Sequence, residues 1–423
     1  MKNFLNKKKY LLGTIAAFFV VVVSFQNCGK LDIQNLDNVQ RTAAGVPVDV
    51  PSGVPVNTSL SIEDSAGYVC SAFGTTTVPS DKSGLKAELR FLDQGSTLSS
   101  GQKNAFLSTE YFNDKNTNFI KKEEAVFLND VNVPTRIFNQ GFQGSDGNVL
   151  EDNQGHALIE YFALRMESVL KLGPKDAPGY YELASIADDG SVVQIKENGQ
   201  WVDLIKNDGA HSTQMGCTER SLKFDANTRL PIRIYYNQGP REHIANVLVW
   251  NYRGPATAVV SAATVQPDIH GYCGKASTDM FWIPASSKPN TWINDIYSKG
   301  WKVVGTENFL LPDNEVNPCA YSSYDVAPTV SYESITDLNK SITIVSSDST
   351  ILTGSLYLIH SDGSKELVKA VNLPEDIKHT FQTGNIILDQ KYQLDVVLEV
   401  PAKKIKVLKS YKLKVSSTTA VTQ

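Results

Sequence analysis

Between residues 162 and 172 apolar and polar side chains take turns. Phe162, Leu164, Met166, Leu170 and Leu172 fall on one face, and Arg165, Glu167 and Lys171 on the other. A period of two points alternate residues to opposite sides of an extended chain, so the spacing predicts a strand although the residue types also suit a helix. Val192 to Lys196 and Trp201 to Ile205 flank Asn198-Gly199, a pair at ease with positive φ and therefore suited to a tight hairpin. Leu230, Ile232, Ile234 and Tyr236 alternate again, and Ile244 to Tyr252 makes a further strand. One short helix is predicted from Asn290 to Lys299, with Asn290 as cap, Trp292 and Ile296 on one face and Gly300 as terminator. From about residue 84 to 321 the chain therefore reads as a mainly antiparallel β domain.

A second module, 322–423, shows short β-rich runs at 329–333, 341–345, 352–360, 378–388, 392–400 and 405–415. Turns such as Ser361-Asp362-Gly363 separate them, which is the spacing of a small immunoglobulin-like sandwich. In the last run Lys403, Lys404, Lys406, Lys409, Lys412 and Lys414 interleave with Ile405, Val407, Leu408, Leu413 and Val415. Lysines in that density suit a solvated strand face or an edge strand protected from unwanted pairing, or else a contact with anionic lipid or polysaccharide.

Upstream, 28–83 has no sustained period, and Gly-Val-Pro-Val recurs at 45 and 53, as in an extended, disordered tether. Before it, Lys2 and Lys7 to Lys9 precede an apolar stretch from Leu11 to Phe25, too short to span a bilayer but right for a secretory signal over 1–27. The signal followed by Cys28-Gly29-Lys30 resembles a bacterial lipoprotein precursor, in which the cysteine carries the lipid. Phe25-Gln26-Asn27 departs from the usual box, and an ordinary signal peptide with an incidental cysteine is the alternative. Gly29, by analogy with lipoprotein sorting, implies the outer membrane, with the body in the periplasm or at the cell surface.

Composition narrows the classes further. A length of 423 residues with 41% hydrophobic and 20% charged residues supports two folded domains plus tails. The formal charge is -5, and because residues 1–27 hold four lysines and no acid, the remainder carries -9, which makes nucleic acid a poor partner. Besides Cys28, the four cysteines Cys70, Cys217, Cys273 and Cys319 form an even set in an exported chain, so two disulfides are expected. Spacing does not choose among three pairings; Cys273 with Cys319 is the weak preference. A zinc site would need closer pairs.

The chemically informative stretch is 179–211: Gly179-Tyr-Tyr-Glu-Leu, Ala187-Asp188-Asp189-Gly190-Ser191, Glu197-Asn198-Gly199-Gln200-Trp201 and Asn207-Asp208-Gly209-Ala210-His211. Pro231-Ile-Arg-Ile-Tyr-Tyr236 and Leu248-Val-Trp250 follow. In this order the elements resemble the PA-14 (protective-antigen-like) domain over roughly 84–285. The resemblance implies a PA-14-type β-barrel or sandwich, so the expected fold is all-β throughout.

Two adjacent carboxylates before a glycine suit a hard cation such as Ca²⁺, which takes six to eight oxygen ligands. Successive strand side chains point to opposite faces, so Asp188 and Asp189 can share an ion only if the peptide between them is unusual, for instance cis. Sugar-binding members of the family carry such an Asp-cis-Asp pair with a later Asn, and Asn237 is the matching position. The resemblance also implies Asn207, Asp208 and His211 as neighbours of the ligand, and Arg241 is a candidate for recognition. The alternative is that Asp-Asp-Gly is simply a turn. Trp201, Trp250, Tyr235 and Tyr236 are either sugar platforms or core. No nucleophile or phosphate-loop motif is present, and both modules resemble binding appendages, so no enzyme is expected. The sequence thus predicts a lipid-anchored envelope lectin or adhesin that binds a glycan or envelope polysaccharide through calcium. A structural lipoprotein that binds another envelope protein, without sugar or calcium, is the alternative.

Overall fold

In a computed structural model of the chain, described over most of 57–418, the molecule is nearly all β. Residues 1–56 and 419–423 lie outside the described residues, as do internal stretches including 142–148, 256–271, 276–281 and 383–389. Cys28, Arg241, Asn290 and the signal and tether segments up to 56 therefore fall outside it.

The described chain opens with β1 (Asn57–Ser65); the first module then contains β2 (Tyr68–Cys70), β3 (Leu85–Leu92), β4 (Phe119–Lys121), β5 (Ala125–Leu128), β6 (Asn132–Ile137) and β7 (Phe162–Leu170). It continues with β8 (Gly179–Asp188), β9 (Ser191–Glu197), β10 (Gln200–Asn207), β11 (Gln214–Cys217), β12 (Leu222–Phe224), β13 (Leu230–Gln238) and β14 (His243–Gly254). A short helix α1 (Ser100–Asn104) lies between β3 and β4. After β14 come β15 (Trp282–Ile283), β16 (Lys288–Pro289), helix α2 (Thr291–Ser298), β17 (Trp301–Val303) and β18 (Phe309–Leu310).

Two sheets face each other. One runs β10-β9-β13-β7-β3-β5-β2, with β4 and β18 as side pairs, and the other runs β11-β8-β14-β17, joined by β12 and β6. Leu89, Leu164, Ile234, Tyr236 and Val193 from the first sheet meet Tyr181, Leu183, Leu248 and Trp250 from the second in one buried core. The alternation read in β7 and β13 sends these residues inward, while Arg165, Glu167 and Arg233 pair on the outer face. The predicted hairpin closes at Asn198 (φ 50°) and Gly199 (φ 80°), both left-handed as a two-residue turn requires. Of the candidate platforms, Trp250, Tyr235 and Tyr236 are buried, and Trp201 is half-buried beneath the Arg233 guanidinium, 4.2 Å from the ring centre.

β8 differs from its neighbours because it is buried on both sides. Tyr181 and Leu183 face the core, whereas Ala184 and Ile186 pack with Met215, Ile293, Ile296 and Trp301 in a second cluster. Helix α2 supplies Ile293 and Ile296 to that cluster and stops at Gly300, whose N–H donates to Tyr297.

The second module holds β19 (Thr329–Thr336), β20 (Asn339–Val345), β21 (Thr350–Ile359), β22 (Lys365–Asp376), β23 (Lys378–Gln382), β24 (Lys391–Val400) and β25 (Ile405–Thr418). Sheets β1-β25-β24-β21-β22 and β19-β20-β23 enclose Ile342, Ile344, Leu356, Leu394, Val396 and Val407. One expectation needs correction here. Residues 57–65 and 68–70 are not tether: β1 pairs with the last part of β25, from Asn57 against Thr418 to Ser65 against Tyr411, and β2 joins the first module. The lysine-rich β25 lies between β1 and β24 only over 411–414; 405–410 pair with β24 alone, as the protected-edge reading expects. The first module is thus inserted into the second, between β1 and β19.

The crossing is a tight neck. Glu315 sits between Lys86 and Lys365, the latter at 3.3 Å, and Ser322 donates its N–H to Lys406 (2.9 Å). Cys70 and Cys319 are bonded there, with Cα atoms 5.7 Å apart, and Cys217 with Cys273, at 5.6 Å. The preference for Cys273 with Cys319 is therefore overturned. The turn carrying Cys273 is zipped onto β11 by Gly274 N–H to Met215 O (2.7 Å), which delivers it to Cys217. Cys319 instead follows Asn317, whose amide binds Ser83 in the neck (2.8 Å).

β7 runs from the neck to the opposite pole. Ser168, near its end, lies 2.9 and 2.8 Å from the carbonyls of Gly84 and Leu310, while Phe162 and Ala163, at its start, pair with Gln238 and Asn237. Non-reducing peptide mapping is expected to return Cys70–Cys319 and Cys217–Cys273. Because the neck bridge closes a loop of 249 residues, replacing both Cys70 and Cys319 by serine should lower unfolding free energy by about 5.5 kcal/mol on the chain-entropy model, read from denaturant titration.

Candidate functional site

At the pole away from the neck, β8 ends in Asp188 and turns through Asp189 and Gly190 into β9. The Asp188–Asp189 peptide is cis. Both carboxylates are buried, at 7% and 6% exposure, and among the described residues neither forms an ion pair with lysine or arginine. Their partners are neutral donors. Thr213 Oγ1 donates to Asp188 Oδ2 (2.9 Å); the backbone N–H groups of His211 and Gly239 donate to Asp189 Oδ1 and Oδ2 (3.1 and 2.6 Å). The Tyr236 hydroxyl, at the buried end of the β13 stripe, lies 2.7 Å from the Asp188 carbonyl oxygen.

Asn237, the third expected ligand, is on β13 and donates its backbone N–H to Gly190 O (2.9 Å). Its Oδ1 is buried and has no hydrogen-bond partner. An acceptor in that state costs roughly 1 to 3 kcal/mol unless a donor or a cation meets it. Gly190 explains the space around it: a Cβ there would sit 2.4 Å from Asn237 Oδ1 and 2.6 Å from Asp208 Oδ1. Only glycine leaves those two oxygens facing each other across a gap. Gly239 plays a similar part beside Asp189 Oδ2, 2.8 Å from where its Cβ would lie.

The remaining expected residues divide between the gap and its frame. Asp208 Oδ1 borders the gap and accepts the N–H groups of Ser108 (2.9 Å) and Gly209 (3.0 Å). Asn207 is buried, and its amide nitrogen braces the carbonyls of Ser185 and Gln214 (3.3 and 3.0 Å) rather than facing Asp189. The His211 ring nitrogens face the carbonyls of Ser212 and Asn207 (2.9 and 3.2 Å), so its backbone serves Asp189 while its ring holds the loop. Sequence reasoning missed Ser108, Thr213 and Gly239. Ser108 reaches the site from 100 residues upstream, and Gly239 contributes a backbone group that no side-chain motif reveals.

As a donor set this is oxygen-only: two carboxylates, the Asn237 amide oxygen and, at the rim, Asp208. Hard cations of the calcium type take such ligands, and the orphaned Asn237 oxygen and the gap kept by Gly190 fit one. Among the described residues no group of three or more His, Cys, Asp and Glu is placed to hold a metal, so any ion here depends on the asparagine and on backbone or external oxygens.

No protein-family model matches the chain, and no curated protein matches it either. Solved structures give remote likenesses. An anti-sigma factor domain-containing protein aligns with TM-score 0.29 and 11% identity over 77% of this chain and 99% of its own. The PA14 domain of the antifreeze protein MpAFP aligns with TM-score 0.26 and 14% identity over 44% and 89%. A β-glucosidase from Kluyveromyces marxianus, solved with glucose, aligns at 0.23 and 9% over 82% and 54%. At such scores the likenesses carry no weight in assigning activity.

Burial, and secondly the charge of Asp189, push Asp188 up to about 7; burial pushes Asp189 up to about 6 against the pull of the Gly239 and His211 N–H groups. The folded state therefore binds protons more tightly than the unfolded chain, and the stability this gives is present in acid and lost as pH rises through 6 to 7. In chelator, the melting temperature is expected to fall between pH 5 and pH 8. Asp189→Asn should flatten that fall; an unchanged slope in the variant would show that the titrating groups lie elsewhere.

Proposed function

We propose that this chain is a calcium-dependent carbohydrate-binding protein of the bacterial envelope, a PA-14-like sandwich inserted in an immunoglobulin-like one and held to the outer membrane through lipid on Cys28. The observation that supports it most is the unpartnered, buried Asn237 Oδ1, which shares with Asp208 Oδ1 the space kept open by Gly190, next to the buried Asp188–Asp189 pair. Calcium bound there would neutralise the buried carboxylates and offer its open coordination positions to sugar hydroxyls. Asp188, Asp189 and Asn237 would hold the ion, and the Gly239 and His211 N–H groups keep Asp189 turned toward it. The loop 208–212, with Ala210 and Ser212 exposed, borders the site and would set which sugar enters, with Arg241 a further recognition residue. The order of motifs along 179–250 is the support for the family assignment, and binding without turnover is the activity proposed.

One observation favours a different reading, a structural envelope lipoprotein that binds a protein partner without sugar or calcium. Both Asp189 oxygens and Asp188 Oδ2 already accept hydrogen bonds from the protein. Isothermal titration with calcium in chelator-stripped buffer, followed by a glycan array, separates the two. The lectin reading expects wild type to bind calcium and then glycan, and Asp189→Ala to lose both while its far-UV spectrum is kept. No calcium heat in wild type would turn the assignment to the structural reading.

The anchor is tested separately. Cys28→Ser should move the protein from membrane to soluble fractions and abolish palmitate labelling; unchanged fractionation would leave the chain an exported protein without a lipid.

A further inference from the structure

We propose that Thr213, backed by Thr135, is a positioning residue that fixes the orientation in which the Asp188 carboxylate meets the cation; this rests on the calcium reading above. Thr213 is fully buried and Thr135 is nearly so, at 3% exposure. Their hydroxyls lie 3.1 Å apart, and each has one proton to give: Thr135 donates to Thr213, and Thr213 donates to Asp188 Oδ2 at 2.9 Å. A chain of hydroxyls leading nowhere would be an expensive thing to bury, since valine has the same shape and no polar atom to desolvate. Ending the chain on a carboxylate accounts for both threonines, because a charged acceptor makes the stronger hydrogen bond.

The position of Thr213 makes the effect specific. Thr135 lies on β6, and Thr213 lies between the 208–212 loop and β11, two residues after His211, whose N–H holds Asp189 Oδ1. One short segment, 211–213, therefore grips each of the two carboxylates by one oxygen. The Thr213 hydroxyl holds Asp188 Oδ2 and the Thr213 backbone also bonds that carboxylate, so the group is kept from rotating and its orientation toward a cation is fixed. Partners of this kind, which orient a ligand without touching the metal, change affinity by about 10- to 100-fold when removed.

Isothermal titration of calcium into wild type, Thr213→Val, Thr213→Ser and Thr135→Val tests the assignment, with the melting temperature recorded in chelator and in calcium. Thr213→Val is expected to weaken calcium binding at least tenfold and to shrink the calcium-induced rise in melting temperature. Thr213→Ser, which keeps the hydroxyl, should restore both, and Thr135→Val should weaken binding by a smaller factor. A Thr213→Val variant that melts lower in chelator yet binds calcium like wild type would overturn the proposal while leaving the calcium reading intact. So would a Thr213→Ser variant as weak as Thr213→Val, which would mean that shape and not the hydroxyl matters. Wild type that takes up no calcium would remove both.

Discussion

Two carboxylates placed next to each other and withdrawn from water repel one another and have lost the solvent that would screen them. That condition, at Asp188 and Asp189, organises the pole of the sandwich opposite the neck. The donors that reach them are neutral: the hydroxyl and backbone of Thr213 and the backbone N–H groups of His211 and Gly239. Neutral dipoles ease the burial of negative charge without cancelling it, which is why both groups hold their protons to unusually high pH. Protonation relieves that repulsion, and the Asn237 oxygen that no donor meets lies beside the same turn.

The strands carry this pole without sharing its tensions. β8 is covered on one side by the core and on the other by α2 and Trp301, so its last residue is held by burial along its whole length. β13 pairs with both β7 and β9, which fixes Tyr236 and Asn237 beside the turn. A site whose ligands sit at the ends of doubly flanked strands is positioned by the scaffold and not by its loops.

What was readable in the sequence follows from which faces meet water. β7 and β13 show their alternation because one side is solvated and carries Arg165, Glu167 and Arg233, whereas β8 has no polar face and is betrayed only by the motif at its end. β22 was passed over because Lys365–Asp376 is polar and contains Pro374, features that a strand at the rim of its sheet can accept. β1 was read as tether since nothing near residue 60 reveals that its partner is β25. At the site, side chains that make up a contiguous motif were legible; the Ser108 and Gly239 N–H groups were not, because backbone donors have no letter of their own, and Thr213 looked like any loop threonine.

The pairing of β1 with β25 also sets a timetable. Residues 57–65 are among the first of the folded body to be synthesised, and 411–418, against which they pair, are among the last. At about 5 to 20 residues per second, the early strand waits tens of seconds with its backbone donors and acceptors open to any passing strand. Cys70 must find Cys319 across 249 residues, while Cys217 and Cys273, only 56 residues apart, close the shorter loop. The inserted sandwich can fold while the one that encloses it is still incomplete, so the interval of greatest exposure to mispairing belongs to the outer module and is fixed by the length of the inner one.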